Sequence, residues 1–216
     1  MSISETNQRR LEFLKDIYEV STACSTRSYI WGGLTIDIFE GKFLREHGDI
    51  DAFTANLLDL LDELIAHYEK RGYRTKFIEE YHMFEIWKDD LHASFNRLET
   101  ASGVAMWRHI GEHGTVYFPY SWLDDTPRDF YETKVYTSGV EFEYAIKSHV
   151  GLLSPVWKPR EKDRNAVQYL ERVIERDGLS VEEILKNIWS FNPFWVEKGY
   201  AEFAMPRVAW PLSPTS

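Results

Sequence analysis

Two adjacent glycines between a strand-like run and a short helical pattern constrain the fold of this chain most strongly. The run Ser28–Trp31 favours a β-strand, and Gly32 and Gly33 follow it directly. Residues Leu34–Glu40 then have the spacing of a short helix, which Gly41 ends. Glycines at such a junction let a ligand approach the backbone, and the free N–H groups at a helix start bind phosphate. The pattern predicts a strand, a phosphate-binding turn and a helix.

Two carboxylates follow on the next predicted strand. Asp49 and Asp51 stand at positions i and i+2 of the run Asp49–Thr54, so they point to the same face of a strand. They can hold one or two divalent cations, and Mg²⁺ favours a pair of carboxylates together with substrate phosphate oxygens. Arg45 and His47 precede the pair and are placed to meet phosphate charge. A phosphate-binding turn followed by paired carboxylates is what metal-assisted nucleotidyl transfer requires.

The spacing GG-x₃-D-x₃-G-x₃-R-x-H-x-D-x-D resembles the signature of the polymerase-beta-type nucleotidyltransferases. Within that superfamily it is most similar to the small enzymes that modify aminoglycoside and lincosamide antibiotics. The matching residues are Gly32, Gly33, Asp37, Gly41, Arg45, His47, Asp49 and Asp51. A weaker resemblance extends through a predicted helix, a predicted hairpin and Lys147 to about Leu170.

The resemblance implies an α+β fold, with a mixed sheet flanked by helices in residues 1–143 and a helical C-terminal part in residues 144–216. It also implies transfer of a nucleoside monophosphate from an NTP, with ATP as the expected nucleotide, to a hydroxyl group of a small molecule. In that reaction pyrophosphate is released, and the outcome for a bacterium is antibiotic resistance. The resemblance assigns Mg²⁺ to Asp49 and Asp51. It assigns nucleotide contacts to Gly32, Gly33, Arg45, His47 and Lys147.

One departure from the family pattern concerns the third carboxylate, which completes the metal site or accepts the proton of the acceptor hydroxyl. In the corresponding strand of this chain the position of that acid is occupied by Ala93 or by Ser94, depending on the alignment. Glu85 is the first candidate to replace it as a catalytic residue, because it lies on the polar face of the neighbouring predicted strand. Asp90, in the hairpin turn, is a second candidate. A third possibility is that no residue replaces it.

Helical and alternating patterns cover most of the remaining chain. The predicted helices are Glu5–Val20, Leu57–Arg71, Tyr144–Leu152, Lys162–Arg176 and Ser180–Trp189, and the predicted strands are Met83–Trp87, Leu91–Leu98, Val116–Phe118, Lys134–Tyr136 and Val140–Phe142. The first two of these strands form one predicted hairpin and the last two another. The tail from Phe191 to Pro214 holds several aromatic residues and prolines, and its pattern does not assign it to a helix or a strand.

Composition and charge exclude several classes of protein. The formal net charge of −10 argues against binding to nucleic acid, which needs a basic surface, and it disfavours an RNA-modifying nucleotidyltransferase. It suits a cationic acceptor better. The single cysteine, Cys24, excludes an internal disulfide and a cysteine-rich zinc site. Without a signal-like N-terminus or a long apolar run, the chain is expected to be cytoplasmic and to have no membrane partner. The sequence indicates no oligomeric state.

A second hypothesis follows from the missing acid. The fold can persist as a nucleotide-binding or interaction module without catalysis, and the strand sequence Leu91–Asn96, which lacks a carboxylate, favours this alternative. The two hypotheses differ in one observable, which is whether a bound NTP is consumed.

Overall fold

A computed structural model of the protein describes residues 3–108 and 114–203. The described residues fall into two compact units. The first lies within Met1–Leu98 and Leu123–Ser138, and the second lies within Glu99–Trp122 and Gly139–Ser216. Residues 204–216, which include the last eleven residues of the tail from Phe191 to Pro214, lie outside the described residues.

Seven helices and ten strands are named here within the described residues. The helices are α1 (Glu5–Ala23), α2 (Gly33–Glu40), α3 (Leu61–Lys70), α4 (Val140–Ser148), α5 (Glu161–Arg176), α6 (Val181–Lys186) and α7 (Pro193–Glu197). The strands are β1 (Ser28–Trp31), β2 (Ile50–Ala55), β3 (Arg74–Ile78), β4 (Met83–Lys88), β5 (Leu91–Ala101), β6 (Val104–Arg108), β7 (Thr115–Pro119), β8 (Arg128–Phe130), β9 (Thr133–Thr137) and β10 (Trp189–Phe191).

The first unit is built on a mixed sheet with the strand order β3-β4-β5-β2-β1-β9-β8. Strand β2 runs parallel to β5 and antiparallel to β1, and β1 runs parallel to β9. The last three residues of β5 belong to the second unit. The predicted α+β fold with a mixed sheet flanked by helices is therefore confirmed.

One face of this sheet is apolar and forms the core of the first unit. Its side chains pack with residues of α1 and α3 in one hydrophobic cluster. The cluster includes Leu14, Ile17, Ile30, Ala52, Leu64, Tyr68, Phe84, Ile86, Ala93 and Phe95, each at most 2% exposed. Because successive strand residues point to opposite faces, the alternate residues Asp51, Ser94 and Glu85 lie on the other face of the sheet. The helices α1 and α3 thus leave that polar face to the functional residues.

The second unit combines strands with helices. Strands β6 and β7 pair antiparallel, and β10 pairs antiparallel with β7. Helix α4 packs against α5. The start of α5 is held by Asp163, whose carboxylate accepts hydrogen bonds from the backbone and side chain of Arg160. Ser180 precedes α6 and accepts a hydrogen bond from the Glu183 N–H at 3.3 Å, which caps the start of that helix.

Three element predictions differ from the structure. The run Val140–Phe142, predicted as the second strand of a hairpin, is the first turn of α4. Its alternation of apolar and acidic residues is typical of a strand, but acidic residues also stabilise the start of a helix. The helix predicted from Leu57 begins only at Leu61, because Asn56 has a φ of 55° and the residues that follow it form a turn. The helix predicted to reach Trp189 ends at Lys186, and Trp189 begins β10.

A search of the described residues finds no helix that is both long enough and apolar enough to cross a membrane.

Candidate nucleotide and metal site

The glycine turn and the second carboxylate of the motif lie next to each other. Gly32 ends the turn after β1 with a φ of +88°, a conformation that favours glycine, and α2 begins at Gly33. A Cβ atom added to Gly32 would stand 3.3 Å from Asp51 Oδ2. The start of α2 and the Asp51 carboxylate therefore border the same space, as a site for a metal-bound phosphate requires.

Arg45 and His47 cover the first residue of α2. A Cβ atom added to Gly33 would collide with the Arg45 guanidinium and would stand 3.5 Å from His47 Nδ1. Any larger residue at this position would force the Arg45 guanidinium to move away from the helix start. Two groups that can carry positive charge thus lie beside the free N–H groups of the helix start, where they would add to its attraction for phosphate.

Asp37 holds the loop that carries these residues. Its buried Oδ2 accepts one hydrogen bond from the Leu44 N–H at 2.9 Å and lies 2.9 Å from His47 Nε2. With Nε2 committed to Asp37, the other ring nitrogen, Nδ1, is the one nearest Gly33. Asp37 therefore acts on the site through His47, and it belongs to the motif for this structural reason.

Helix α1 supplies a contact that the motif does not contain. Arg10 is 2% exposed, and its guanidinium donates hydrogen bonds to the His47 carbonyl oxygen and, at 2.7 Å, to Asn7 Oδ1. Burial lowers the pKa of Arg10 below its usual value. Sequence reasoning missed this residue, because a single arginine in an amphipathic helix gives no signal that it faces inward.

The candidate acids lie in one row across three strands. Asp51 on β2 pairs with Ser94 on β5, and Ser94 pairs with Glu85 on β4. Residues that pair directly across a sheet point to the same face. Ser94 Oγ donates a hydrogen bond to Asp51 Oδ1 at 2.9 Å. Asp49 is exposed and directly precedes β2, two positions before Asp51.

This register shows which residue stands beside Asp51 on the strand that carries the family's third acid. Ala93 pairs with Ile50 and is fully buried in the core, so Ser94 is the residue on the site face. Asp90 lies in the turn between β4 and β5, where its carboxylate accepts two hydrogen bonds from Arg9 at 2.6 and 3.0 Å. Asp90 lies four positions before Ser94, which is about 13 Å along an extended strand.

Glu85 lies on the site face but reaches towards a histidine. Its Oε1 lies 3.2 Å from His92 Nε2, without the angle of a hydrogen bond, and its side chain is 15% exposed. Trp87 stacks on the His92 ring at 5.1 Å. Within the described ranges, the carboxylates of Asp49, Asp51 and Glu85 do not all lie within 4.8 Å of one another. The register thus brings Asp51 and Glu85 to one face of the sheet, but the three acids do not form a single cluster.

Lys147, the remaining predicted nucleotide contact, lies on α4 in the second unit. It is buried, and its Nζ lies 2.5 Å from Glu143 Oε2, one helical turn earlier. Its contact with a nucleotide stays a prediction.

Cys24 lies away from the glycine turn, at the end of α1. Burial, the charge of Glu63 and a hydrogen bond to Glu63 raise the pKa of its thiol to about 11. The thiol is therefore protonated at neutral pH and does not serve as a nucleophile.

Comparison with known proteins agrees with this geometry. The family model of the aminoglycoside-2''-adenylyltransferases matches residues 13–93, which include the glycine turn, both aspartates and Glu85. The solution structure of the antibiotic-resistance factor ANT(2'')-Ia aligns with a TM-score of 0.62 and 18% identity, over 91% of this chain and 95% of that chain. The chain has the nucleotidyltransferase fold. The resemblance that the motif indicates, to the small antibiotic nucleotidyltransferases, is confirmed by these matches.

Two further solved structures extend the comparison. The crystal structure of ANT(2'')-Ia with adenylyl-2''-tobramycin aligns with a TM-score of 0.61 and 18% identity, over 82% of this chain and 95% of that chain. Lincomycin-bound LnuA, a lincosamide antibiotic adenylyltransferase, aligns with a TM-score of 0.55 and 16% identity, over 80% of this chain and 99% of that chain. No curated protein sequence matches the chain.

Replacing Gly33 with valine is expected to weaken NTP binding by at least about tenfold. The new side chain would displace the Arg45 guanidinium from the start of α2 and so remove a charge-assisted phosphate contact. Calorimetric titration with an NTP measures the effect. Gly48→Val is the matched control, because no atom lies within 4 Å of a Cβ added at Gly48. Unchanged NTP affinity in a folded Gly33→Val protein would place the phosphate site elsewhere.

Proposed function

We propose that this protein transfers a nucleoside monophosphate from an NTP to a hydroxyl group of an aminoglycoside- or lincosamide-like molecule and releases pyrophosphate. The observation that carries the proposal is the position of Asp51, whose Oδ2 stands 3.3 Å from a Cβ placed on Gly32 at the start of α2. This arrangement would hold the triphosphate next to a metal ion that balances its negative charge. ATP is the proposed nucleotide.

The side chains of the site suit a divalent cation. Asp49 and Asp51 offer the hard oxygen ligands that Mg²⁺ prefers, and Gly32 brings no side chain into the space next to Asp51 Oδ2. Bound there, Mg²⁺ would neutralise the charge that develops on the phosphates during transfer. Ser94 would hold the Asp51 carboxylate in place by its hydrogen bond.

The glycine turn would bind phosphate oxygens directly, without a metal ion between them. The N–H groups at the start of α2 and the Arg45 guanidinium would bind them, and His47 would be oriented by Asp37 to do the same. Lys147 is proposed as a further phosphate contact.

In the transfer step, the acceptor hydroxyl oxygen would form a bond to the α-phosphorus of the NTP. The bond between that phosphorus and the oxygen bridging to the β-phosphorus would break, and pyrophosphate would leave. The hydroxyl proton would pass to the Glu85 carboxylate, which lies two strands from Asp51 on the same face. His92 would keep Glu85 in position, since the two side chains lie 3.2 Å apart.

The acceptor class is supported by two observations. The net charge of −10 favours a cationic molecule such as an aminoglycoside. Similar structures were solved with adenylyl-2''-tobramycin and with lincomycin.

An assay that follows both products tests the proposal. The protein is incubated with Mg²⁺, each of the four NTPs in turn, and a panel of aminoglycosides and lincosamides. We expect one acceptor to gain the mass of a nucleoside monophosphate, with one pyrophosphate released per molecule modified. Reactions without acceptor measure simple NTP hydrolysis. NTP hydrolysis without any gain in acceptor mass would contradict the proposal.

A second candidate function is a catalytically impaired module that binds nucleotide without consuming it. The observation that favours it is Ser94, which stands where the register would place a third acid beside Asp51. The variant Ser94→Asp separates the two candidates. NTP turnover that arises only in Ser94→Asp would support the impaired module, whereas turnover in the unaltered protein would support the enzyme.

A further inference from the structure

A cysteine, a glutamate and a histidine converge on the helical side of the first unit, away from the glycine turn. Cys24 caps the end of α1, and Glu63 and His67 lie one turn apart on α3. The Cys24 sulfur, a Glu63 carboxylate oxygen and a His67 ring nitrogen all lie within 4.8 Å of one another. Among the described residues, these three are the one group of at least three histidine, cysteine or acidic side chains whose ligand atoms lie this close together.

The spacing of these atoms suits a tetrahedral metal ion. With metal–ligand bonds of about 2.0–2.3 Å, the ligand atoms of a tetrahedral site stand roughly 3.3–3.8 Å from one another. Small rotations of Glu63 and His67 would close the remaining distance. Both side chains can move, because Glu63 is exposed and His67 is only partly buried. Cys24 is 2% exposed and supplies the fixed, buried ligand.

A buried hydroxyl group beside the cluster supports a ligand there. Tyr68 is fully buried, and its hydroxyl makes no hydrogen bond within the described structure. Tyr68 directly follows His67 on α3, and it belongs with Cys24 to the core cluster of the first unit. A buried polar group without a partner is costly. A metal ion bound near this hydroxyl, together with its coordinated water, would give the hydroxyl a hydrogen-bond partner.

We propose that Cys24, Glu63 and His67 form a site for a single zinc-type ion that ties the end of α1 to α3. A thiolate, an imidazole and a carboxylate suit Zn²⁺, and the softness of the thiolate selects against Mg²⁺. Binding would release the thiol proton to solvent and leave the fourth coordination position to water. The site is independent of the proposed transfer reaction, because these residues lie on the helices that cover the opposite face of the sheet from Asp51.

Titration of the metal-free, full-length protein with Co²⁺ tests this site. Because Cys24 is the single cysteine of the chain, a thiolate-to-cobalt charge-transfer absorption reports on this position alone. We expect the absorption to saturate at one equivalent in the presence of excess Mg²⁺ and to disappear when Zn²⁺ is added. Asp51→Asn is expected to leave it unchanged, which separates this site from the candidate active site.

Variants of two proposed ligands distinguish a three-ligand metal site from nonspecific binding of metal to the thiol. His67→Gln and Glu63→Gln are each expected to weaken Co²⁺ binding by about tenfold or more, whereas the exposed control His149→Gln is expected to have no effect. Zn²⁺ should raise the melting temperature of the unaltered protein but not that of His67→Gln. The proposal is overturned if the unaltered protein gives no charge-transfer absorption, or if both ligand variants bind Co²⁺ as tightly as it does.

Discussion

Replacing Asp51 with asparagine is expected to reduce nucleotidyl transfer by at least about 10³-fold while the fold stays intact. Asparagine has almost the same shape, and its Oδ1 can still accept the hydrogen bond from Ser94. Only the negative charge is lost, and with it the hard anionic ligand beside the glycine turn. Removal of one electrostatic group at a transition state already lowers turnover by about 10²–10³-fold. Turnover is measured as acceptor modified per unit time across a range of Mg²⁺ concentrations.

Two further variants complete this test. Asp49→Asn is expected to have an effect in the same direction, because Asp49 lies two positions earlier and is the other proposed metal ligand. Asp59→Asn removes an exposed carboxylate from a turn of the same unit and is expected to leave turnover unchanged. Full activity in either Asp51→Asn or Asp49→Asn would refute the assignment of the metal pair.

Replacing Glu85 with glutamine is expected to lower turnover by about 10²–10⁴-fold, the usual contribution of a general base. Glutamine keeps the size of the side chain and its place beside His92 but cannot accept the proton. NTP affinity should change little, because Glu85 is two strands away from Asp51 and the glycine turn. Turnover and NTP binding are measured separately, by product formation and by calorimetry.

The control for this prediction is Glu80→Gln, which alters an exposed glutamate of the same unit and should have no effect. His92→Gln is expected to cause a smaller loss than Glu85→Gln, because His92 positions the base without taking the proton. If Glu85→Gln turns over at the rate of the unaltered protein, the proton goes elsewhere and Glu85 has no catalytic role.

Local patterns were sufficient to predict the glycine turn and the hairpin that carries Glu85. Strand β1 has the predicted bounds, and Gly41 ends α2 in the left-handed conformation. The hairpin of β4 and β5 turns at Asp89, which has a φ of 55°, as the intervening polar residues indicate. These features depend on residues close together in sequence, so the pattern of side chains fixes them directly.

Features that depend on distant residues could not be predicted in this way. An alignment leaves the third acid at Ala93 or Ser94, and only the parallel pairing of β2 with β5 decides between them. The convergence of Cys24 with α3 likewise requires α1 and α3 to be packed on the sheet. The prediction of a strand at Val140–Phe142 was wrong, because this short pattern fits a strand as well as the start of a helix, which it is in the structure.

The buried contact between Arg10 and the backbone of His47 changes what counts as the minimal functional unit. Every residue of the signature lies between positions 32 and 51, so a shortened protein beginning at Ser28 would still contain all of it. Such a truncation would nevertheless lose the guanidinium that fixes the His47 carbonyl from α1. The loop carrying Arg45 and His47 would then keep its contacts with Asp37 but lose its contact with α1. Transplanting the signature into another scaffold, or redesigning the N-terminal helix, therefore has to carry Arg10 along with the motif.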